Sequence, residues 1–164
     1  MDIAALALEA FKLIFPAYCA NAAPVLAGGG LPMDFGKNFF DGKRVFGKNK
    51  TFRGFFVGLA IGGLVGLTEY FLFDYPPLLC LFSPLGALLG DLAGAFLKRR
   101  LDIAPGGLLP IVDQIDFVVG AIVFSLPLSI ISLELAIAML IITPPIHLLT
   151  NFAAYKLKLK GNPW

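Results

Sequence analysis

The sequence predicts an all-α integral membrane protein of about five transmembrane helices, with its N-terminus outside and its C-terminus cytoplasmic. Three observations predict it. Of the 164 residues, 58% are hydrophobic and only 15% charged, with a mean hydropathy of +0.84, far from the balance of a soluble domain. The apolar residues fall into runs of about 20, the length that crosses roughly 30 Å of hydrocarbon. Finally, of 13 Lys and Arg, six lie between residues 37 and 53, three at 98–100 and three at 156–160, leaving only Lys12 elsewhere. By the positive-inside rule those three segments face the cytoplasm.

The spans are expected near residues 3–27, 54–73, 77–97, 111–131 and 133–155, within a single transmembrane domain covering 1–164. The first, "IAALALEAFKLIFPAYCANAAPVLA", has no basic start and carries Glu9 and Lys12, so it reads as a retained span and not as a cleaved signal peptide. The second presents Gly54, Gly58, Gly62 and Gly66 at four-residue spacing, and the third Gly86, Gly90 and Gly94. Such ridges allow close backbone approach in lipid, and these two helices are expected to pack against each other. The fourth opens on "IVDQID". The fifth contains Pro144 and Pro145, expected to kink it, and His147, the only histidine, read as a packing or locally hydrogen-bonded residue. Cytoplasmic loops are expected at 28–53 and 98–110, and tight turns at "DYPP" and "SLE". Cys19 and Cys80 fall in apolar runs and read as packing residues.

Carboxylates inside apolar runs need a reason. Asp91 precedes Lys98 by seven residues, roughly 10 Å below the charged boundary at about 1.5 Å per residue. An acid at the centre of a membrane helix costs about 2.5–3.5 kcal/mol, which a polar cavity, a cation or a metal offsets. A structural ion pair is the plainer alternative. Asp113 and Asp116 share one helix face, with Cβ atoms about 5–6 Å apart. Alone, this pair also fits an N-terminal charge favoured by the helix dipole. Together with Asp91 the two make a hard-oxygen set suited to Mg²⁺, its other positions open to water and phosphates.

Bases share that membrane face: Lys37, Lys43, Arg44, Lys48, Lys50 and Arg53 before the second span, and Lys98, Arg99 and Arg100 after the third. Carboxylates beside a crown of cations suit phosphoryl or nucleotidyl transfer, where catalysis is mostly positioning and charge neutralisation. Any one of these cations also fits a topology signal or a lipid-headgroup contact. Two partial motifs fail. "GKRVFGKN" has the outline of a P-loop, but Asn49 stands where the metal-binding Ser or Thr belongs and no strand precedes it. "DGKR" echoes the CDP-alcohol phosphotransferases without their further aspartates. Membrane lipids are expected partners, and nucleic acid is not. The alternative reading is a small membrane transporter with Asp91 as a cation site, although the outer half offers mainly Glu9, Lys12 and Glu69 and no repeat is visible.

Longer blocks carry a resemblance. "DGKRVFGKNKTFRG" is similar to a D-G-x-R-x-x-G-x-x-K-T-x-R-G pattern through Asp41, Gly42, Arg44, Gly47, Lys50, Thr51, Arg53 and Gly54. "GDLAGAFLKRRLDIAPGGLLPIVDQID" resembles a second signature through Gly90, Asp91, Lys98, Arg99, Pro110, Asp113 and Asp116. Both belong to the CTP-dependent phosphatidate cytidylyltransferase superfamily, and specifically to its short archaeal branch, the CDP-archaeol synthase family. The Lys-Asp and His-Gly-Gly elements of the bacterial and eukaryotic signature are missing or shortened, and Gln114 stands where Arg is usual, which favours the archaeal branch. The resemblance implies a cell-membrane enzyme whose active site faces the cytoplasm. There an isoprenoid ether-lipid phosphate, 2,3-bis-O-geranylgeranylglycerol 1-phosphate, attacks the α-phosphorus of CTP with Mg²⁺ as cofactor. It further implies Asp91, Asp113 and Asp116 as metal ligands, with Lys98 beside them as catalytic, and Lys50, Thr51, Arg53, Lys98 and Arg99 on the triphosphate. An anionic phosphate nucleophile needs no general base, so the absence of a catalytic His or Cys is no objection.

Overall fold

A computed structural model describes residues 2–162 as five α-helices: α1 (Ile3–Leu26), α2 (Phe52–Phe73), α3 (Leu79–Arg100), α4 (Val112–Ser125) and α5 (Leu133–Lys156). Among the described residues there are no strands, only isolated bridges pairing Pro32 with Thr51 and Asn38 with Arg44. The helix starts follow capping chemistry. Asp2 accepts from the Ala5 N–H at 2.6 Å, Thr51 from Gly54 at 3.1 Å and Ser132 from Leu135 at 3.2 Å. Asp74 ends α2 in the left-handed region at φ 56°.

Helices α1, α2, α3 and α5 are each long and apolar enough to cross a membrane, so the chain is a multi-pass membrane protein. The fourth is shorter than the expected 111–131. Its α-helix has 14 residues and hands over to a 3₁₀ turn at Leu126–Leu128. Pro127 has no N–H to continue the ladder, and Ser129 at φ 55° ends it. Helix and turn together reach about 27 Å, close to the hydrocarbon thickness, whereas the α-helix alone does not span it. α5 continues through Pro144 and Pro145.

Helix α1 lies at the centre. Its Ala10, Leu13, Ile14 and Ala17 pack with Leu79 and Ala87 of α3, Phe117, Val118, Ala121 and Ile122 of α4, and Leu135 and Met139 of α5. The Tyr18 hydroxyl and Thr143 Oγ1, 2.8 Å apart, tie α1 to α5. Far from the basic loops, Glu9 pairs with Lys12 at 2.5 Å and accepts from the Tyr75 hydroxyl at 2.6 Å.

Helices α2 and α3 pack against each other as the spacing suggested, but through the α2 ridge alone. The ridge of α2 meets Pro16, Ala20 and Pro24 of α1 and the Cys80–Pro84–Leu88 face of α3. The ridge of α3 turns the other way, onto α4. A methyl group on Gly86 would overlap the backbone of Gly120, one on Gly90 the backbone carbonyl of Asp116, and one on Gly94 the Asp116 carboxylate. The α3–α4 seam is thus backbone against backbone, as lipid-embedded helices with small residues allow, and it sets where the α4 carboxylates lie over α3.

Candidate active site

The basic end of the bundle is built from the loop 28–51, the loop 101–111 and the segment after α5. Asp34 organises the first of these. Its Oδ2 accepts from the N–H groups of Gly47 at 2.8 Å and Phe46 at 3.2 Å and from Arg44 Nε at 3.1 Å, while Oδ1 accepts from the Gly36 N–H at 3.0 Å and from Arg44 Nη2. Burial opposes the charge, but the Arg44 guanidinium and the three N–H groups outweigh it and hold this carboxyl well below the usual carboxylate range. Gly47 sits at φ +102° with Arg99 close beside it, a conformation that L side chains rarely adopt.

Cations stitch this loop to the end of α3. Lys43 Nζ donates to the Arg100 carbonyl at 3.0 Å and to Asp102 at 2.6 Å. Arg100 returns Nη2 to the Arg44 carbonyl at 2.6 Å, pairs with Asp41 at 2.8 Å, and rests on Phe96 and Phe39 with ring centroids 4.5 and 5.1 Å away. Lys43, Arg44, Arg99 and Asp102 line a cavity of about 250 Å³ between the two loops.

The first loop closes on Lys50, whose Nζ bridges both oxygens of Asp91 at 2.5 and 2.6 Å. One turn of α3 further on, the Asp116 carboxylate lies over Gly94, with Oδ1 accepting from the Phe117 N–H at 2.7 Å. Its charge is in electrostatic reach of Asp91, Lys50 and Asp113. Asp113 Oδ2 accepts from Lys98 Nζ at 2.7 Å and from the Leu109 N–H at 2.9 Å. Just before it, Ile111 adopts φ 68°, ψ −56°, and the Val112 N–H reaches the Pro110 carbonyl at 2.8 Å. This is a γ-turn, strained for a β-branched residue, and it swings α4 up beside α3.

The predicted residues therefore divide. Asp91, Asp113, Asp116, Lys50 and Lys98 come together as alternating acids and bases on α3, α4 and the end of the first loop. Thr51 is the N-cap of α2. Arg53 is exposed in the first turn of α2, packed beside Gly30. Arg99 is buried but lines the inter-loop cavity with Lys43 and Arg44. Among the described residues no three His, Cys, Asp or Glu side chains are gathered as an ion-binding group. Lysine ammonium groups hold Asp91 and Asp113 instead.

Three contributors were not singled out as site residues in the sequence. Asp34 carried a signal in "DFG", an Asp two residues before a Gly whose N–H its own carboxylate accepts, the pattern of an Asx turn. Asn151 and Lys160 gave none, since their meeting depends on the tail folding back. Lys160 Nζ donates to Asn151 Oδ1 at 2.9 Å, and Asn151 Nδ2 lies 3.2 Å from each His147 ring nitrogen. Burial, with Lys50 adding to it, lowers the Lys160 ammonium from the usual lysine value, while Asp113 opposes the shift. His147 makes the local contact expected of it and sits 5.9 Å from the Phe117 ring.

A family model described as CDP-archaeol synthase (CarS-like) matches residues 3–164. The chain is similar to the CDP-archaeol synthase of Pyrococcus furiosus, 46% identical over 96% of this chain and 98% of that one. It is also 40% identical to the CDP-archaeol synthase of Methanococcus aeolicus across the whole of both. Among solved structures it resembles one described as an intramembrane enzyme for archaeal membrane lipids biosynthesis, with a TM-score of 0.80 and 40% identity over 88% of this chain and 93% of that one.

Proposed function

The chain belongs to the CDP-archaeol synthase family, and on that premise we propose that it transfers the cytidylyl group of CTP to 2,3-bis-O-geranylgeranylglycerol 1-phosphate. A lipid phosphate oxygen forms a bond to the α-phosphorus, the α–β phosphoanhydride bond breaks, and pyrophosphate leaves as CDP-archaeol forms. One observation carries the site assignment: Lys50 on Asp91 and Lys98 on Asp113, interleaved beside Asp116 at one end of a membrane bundle. Membership of the family favours the transferase over the transporter.

The donor chemistry fits Mg²⁺. Asp91, Asp113 and Asp116 offer hard oxygens, and Lys50 already stands as a cation across both oxygens of Asp91. When bound there, the ion would reduce repulsion between the two anionic substrates and favour charge developing on the leaving pyrophosphate. The protein's own cations do the rest. Lys50 and Lys98 are at hydrogen-bonding distance from the carboxylates, so a short swing of either ammonium exchanges a carboxylate for a phosphate oxygen. Arg53 and Thr51 at the start of α2 extend the same edge, where the α2 N-terminus also favours anions. Arg99 and Arg44 reach phosphate from the inter-loop cavity. No group has to remove a proton, since the nucleophile is an anion.

The orientation follows from charge. The two loops and the tail are joined at one end by Lys43–Asp102 and Asn162–Gly106 contacts. With twelve of 13 cations in segments of that end, the positive-inside rule directs it to the cytoplasm of the cell membrane, where CTP is. The N-terminus then lies outside.

The test is transfer of labelled CMP from CTP to the lipid phosphate by purified protein with Mg²⁺. Asp91→Asn and Asp113→Asn are expected to lose activity on the order of a hundredfold or more. Wild-type rates in both would sink the metal assignment.

A further inference from the structure

The segment after α5 turns back over the bundle end. The Leu157 and Leu159 N–H groups reach the Ala153 and Ala154 carbonyls at 2.9 Å, and Lys158 takes φ 60° to reverse the chain. Asn162 Nδ2 then donates to the Gly106 carbonyl at 3.2 Å, fixing the segment to the second loop. Between these anchors stands Lys160. Its Nζ is held by Asn151 at 2.9 Å, Asn151 by His147 at 3.2 Å, and His147 lies against Phe117, the residue after Asp116. A relay of side chains from α4 through α5 thus aims this lysine.

That relay ends beside Asp116, and the charges of Asp91, Asp113, Lys50 and Lys98 are in electrostatic reach of the lysine. Lys50 and Lys98 each hold an aspartate of the cluster. Arg99 approaches from the inter-loop cavity on the other side. Two phosphate-bearing substrates have to meet there, and a lysine carried in by a third segment adds a hydrogen-bond donor for them.

We propose that Lys160 is a substrate-binding residue of this active site, carried in by the C-terminal segment and positioned by Asn151 to contact a phosphate group. The inference rests on the transferase reading above. The phosphate belongs either to CTP or to the lipid, and kinetics separate the two.

Full-length protein in vesicles is assayed for cytidylyl transfer with each substrate varied in turn, comparing wild type, Lys160→Met, Lys160→Arg and Lys158→Asn. Lys160→Met is expected to raise one KM on the order of tenfold with a smaller change in kcat, and Lys160→Arg to restore most of it. Lys158→Asn, which removes a neighbouring charge, is expected to behave as wild type. A rise in the KM for CTP assigns the triphosphate, and a rise in the KM for the lipid phosphate assigns the lipid. Wild-type values of both KM and kcat in Lys160→Met overturn the proposal and leave the transferase standing. Failure of arginine to restore any of the loss likewise overturns it. If Lys160→Met does not fold, Asn151→Ser is read in its place, since it keeps the lysine and removes its anchor. A raised KM supports the proposal, and wild-type KM values overturn it. A wild type that transfers nothing refutes the transferase reading itself, and this inference with it.

Discussion

Replacing Asp34 by Asn tests whether one buried carboxylate holds the first loop in place. The substitution conserves shape and removes one acceptor oxygen. An amide nitrogen at Oδ2 would confront three donors, Gly47, Phe46 and Arg44 Nε, so the better orientation puts it at Oδ1, where it confronts two, the Gly36 N–H and Arg44 Nη2. A hydrogen bond to a charged group contributes about 1.5–3 kcal/mol. Two are lost, but Arg44 is 34% exposed along its side chain, so water recovers part of its share and the lower end applies, about 3 kcal/mol. That corresponds to loop opening on the order of a hundredfold more frequent. Amide hydrogen exchange at Gly36, Phe46 and Gly47 reads it directly, and protection there is expected to fall by about that factor. pH supplies a second handle. Because the folded-state pKa is depressed, the stabilisation is fully present above the unfolded value near 4 and is lost as the pH falls below it. Wild-type loop protection therefore weakens below about pH 4, while Asp34→Asn lacks that dependence. Unchanged protection in the variant, or the same acid sensitivity in both proteins, would refute the reasoning. Transfer activity is expected to fall with loop protection, since the Met33 N–H donates to the Lys50 carbonyl at 2.8 Å and the loop thereby places that lysine.

Further outcomes follow from the packing. Gly94→Ala drives a methyl group into the Asp116 carboxylate and is expected to cost about 1–3 kcal/mol of stability, together with Mg²⁺-dependent CTP binding; a wild-type melting temperature and affinity would contradict the seam. Thr51→Val removes the α2 cap, about 1 kcal/mol, and is expected to raise the KM for CTP, with Thr51→Ser restoring both; a lower melting temperature with an unchanged KM confines Thr51 to capping. Tyr18→Phe breaks the link to Thr143 and is expected to lower stability by about 0.6 kcal/mol without affecting transfer, so lost activity at full stability would give that hydroxyl another task.

Hydropathy and charge made most of this architecture legible, because lipid imposes a length on each helix and a sign on each loop. α1, α2, α3 and α5 lie within a few residues of their expected spans. α4 fell short because Pro127 acts on the backbone ladder, which a hydropathy window does not register. The glycine spacing identified a packing face on each of α2 and α3 and the contact between the two helices, but not that the α3 ridge itself turns onto α4. Gly120 of α4, the residue that receives the α3 ridge at Gly86, stands alone between valine and alanine. The acids of the site were legible because carboxylates in apolar runs are anomalous. Asp34 showed only the Asx-turn spacing of "DFG", because its bonds to Arg44, Phe46 and Gly47 depend on how the polar loop folds back. Lys160 reads as one more tail cation until the chain reversal at Lys158 sets it against Asn151.

The α3–α4 seam also bears on how the molecule assembles. Helices already inserted in a bilayer have no hydrophobic drive to choose one alignment over another, and sliding one helix past its neighbour by a turn, about 5.4 Å, conserves most apolar contacts. Here such a slip would press side chains onto Gly86, Gly90 and Gly94, positions that tolerate nothing larger than hydrogen against the facing backbone. The seam therefore acts as a register pin: one alignment closes, the shifted ones stand apart, and the one that closes sets Asp116 beside Asp91.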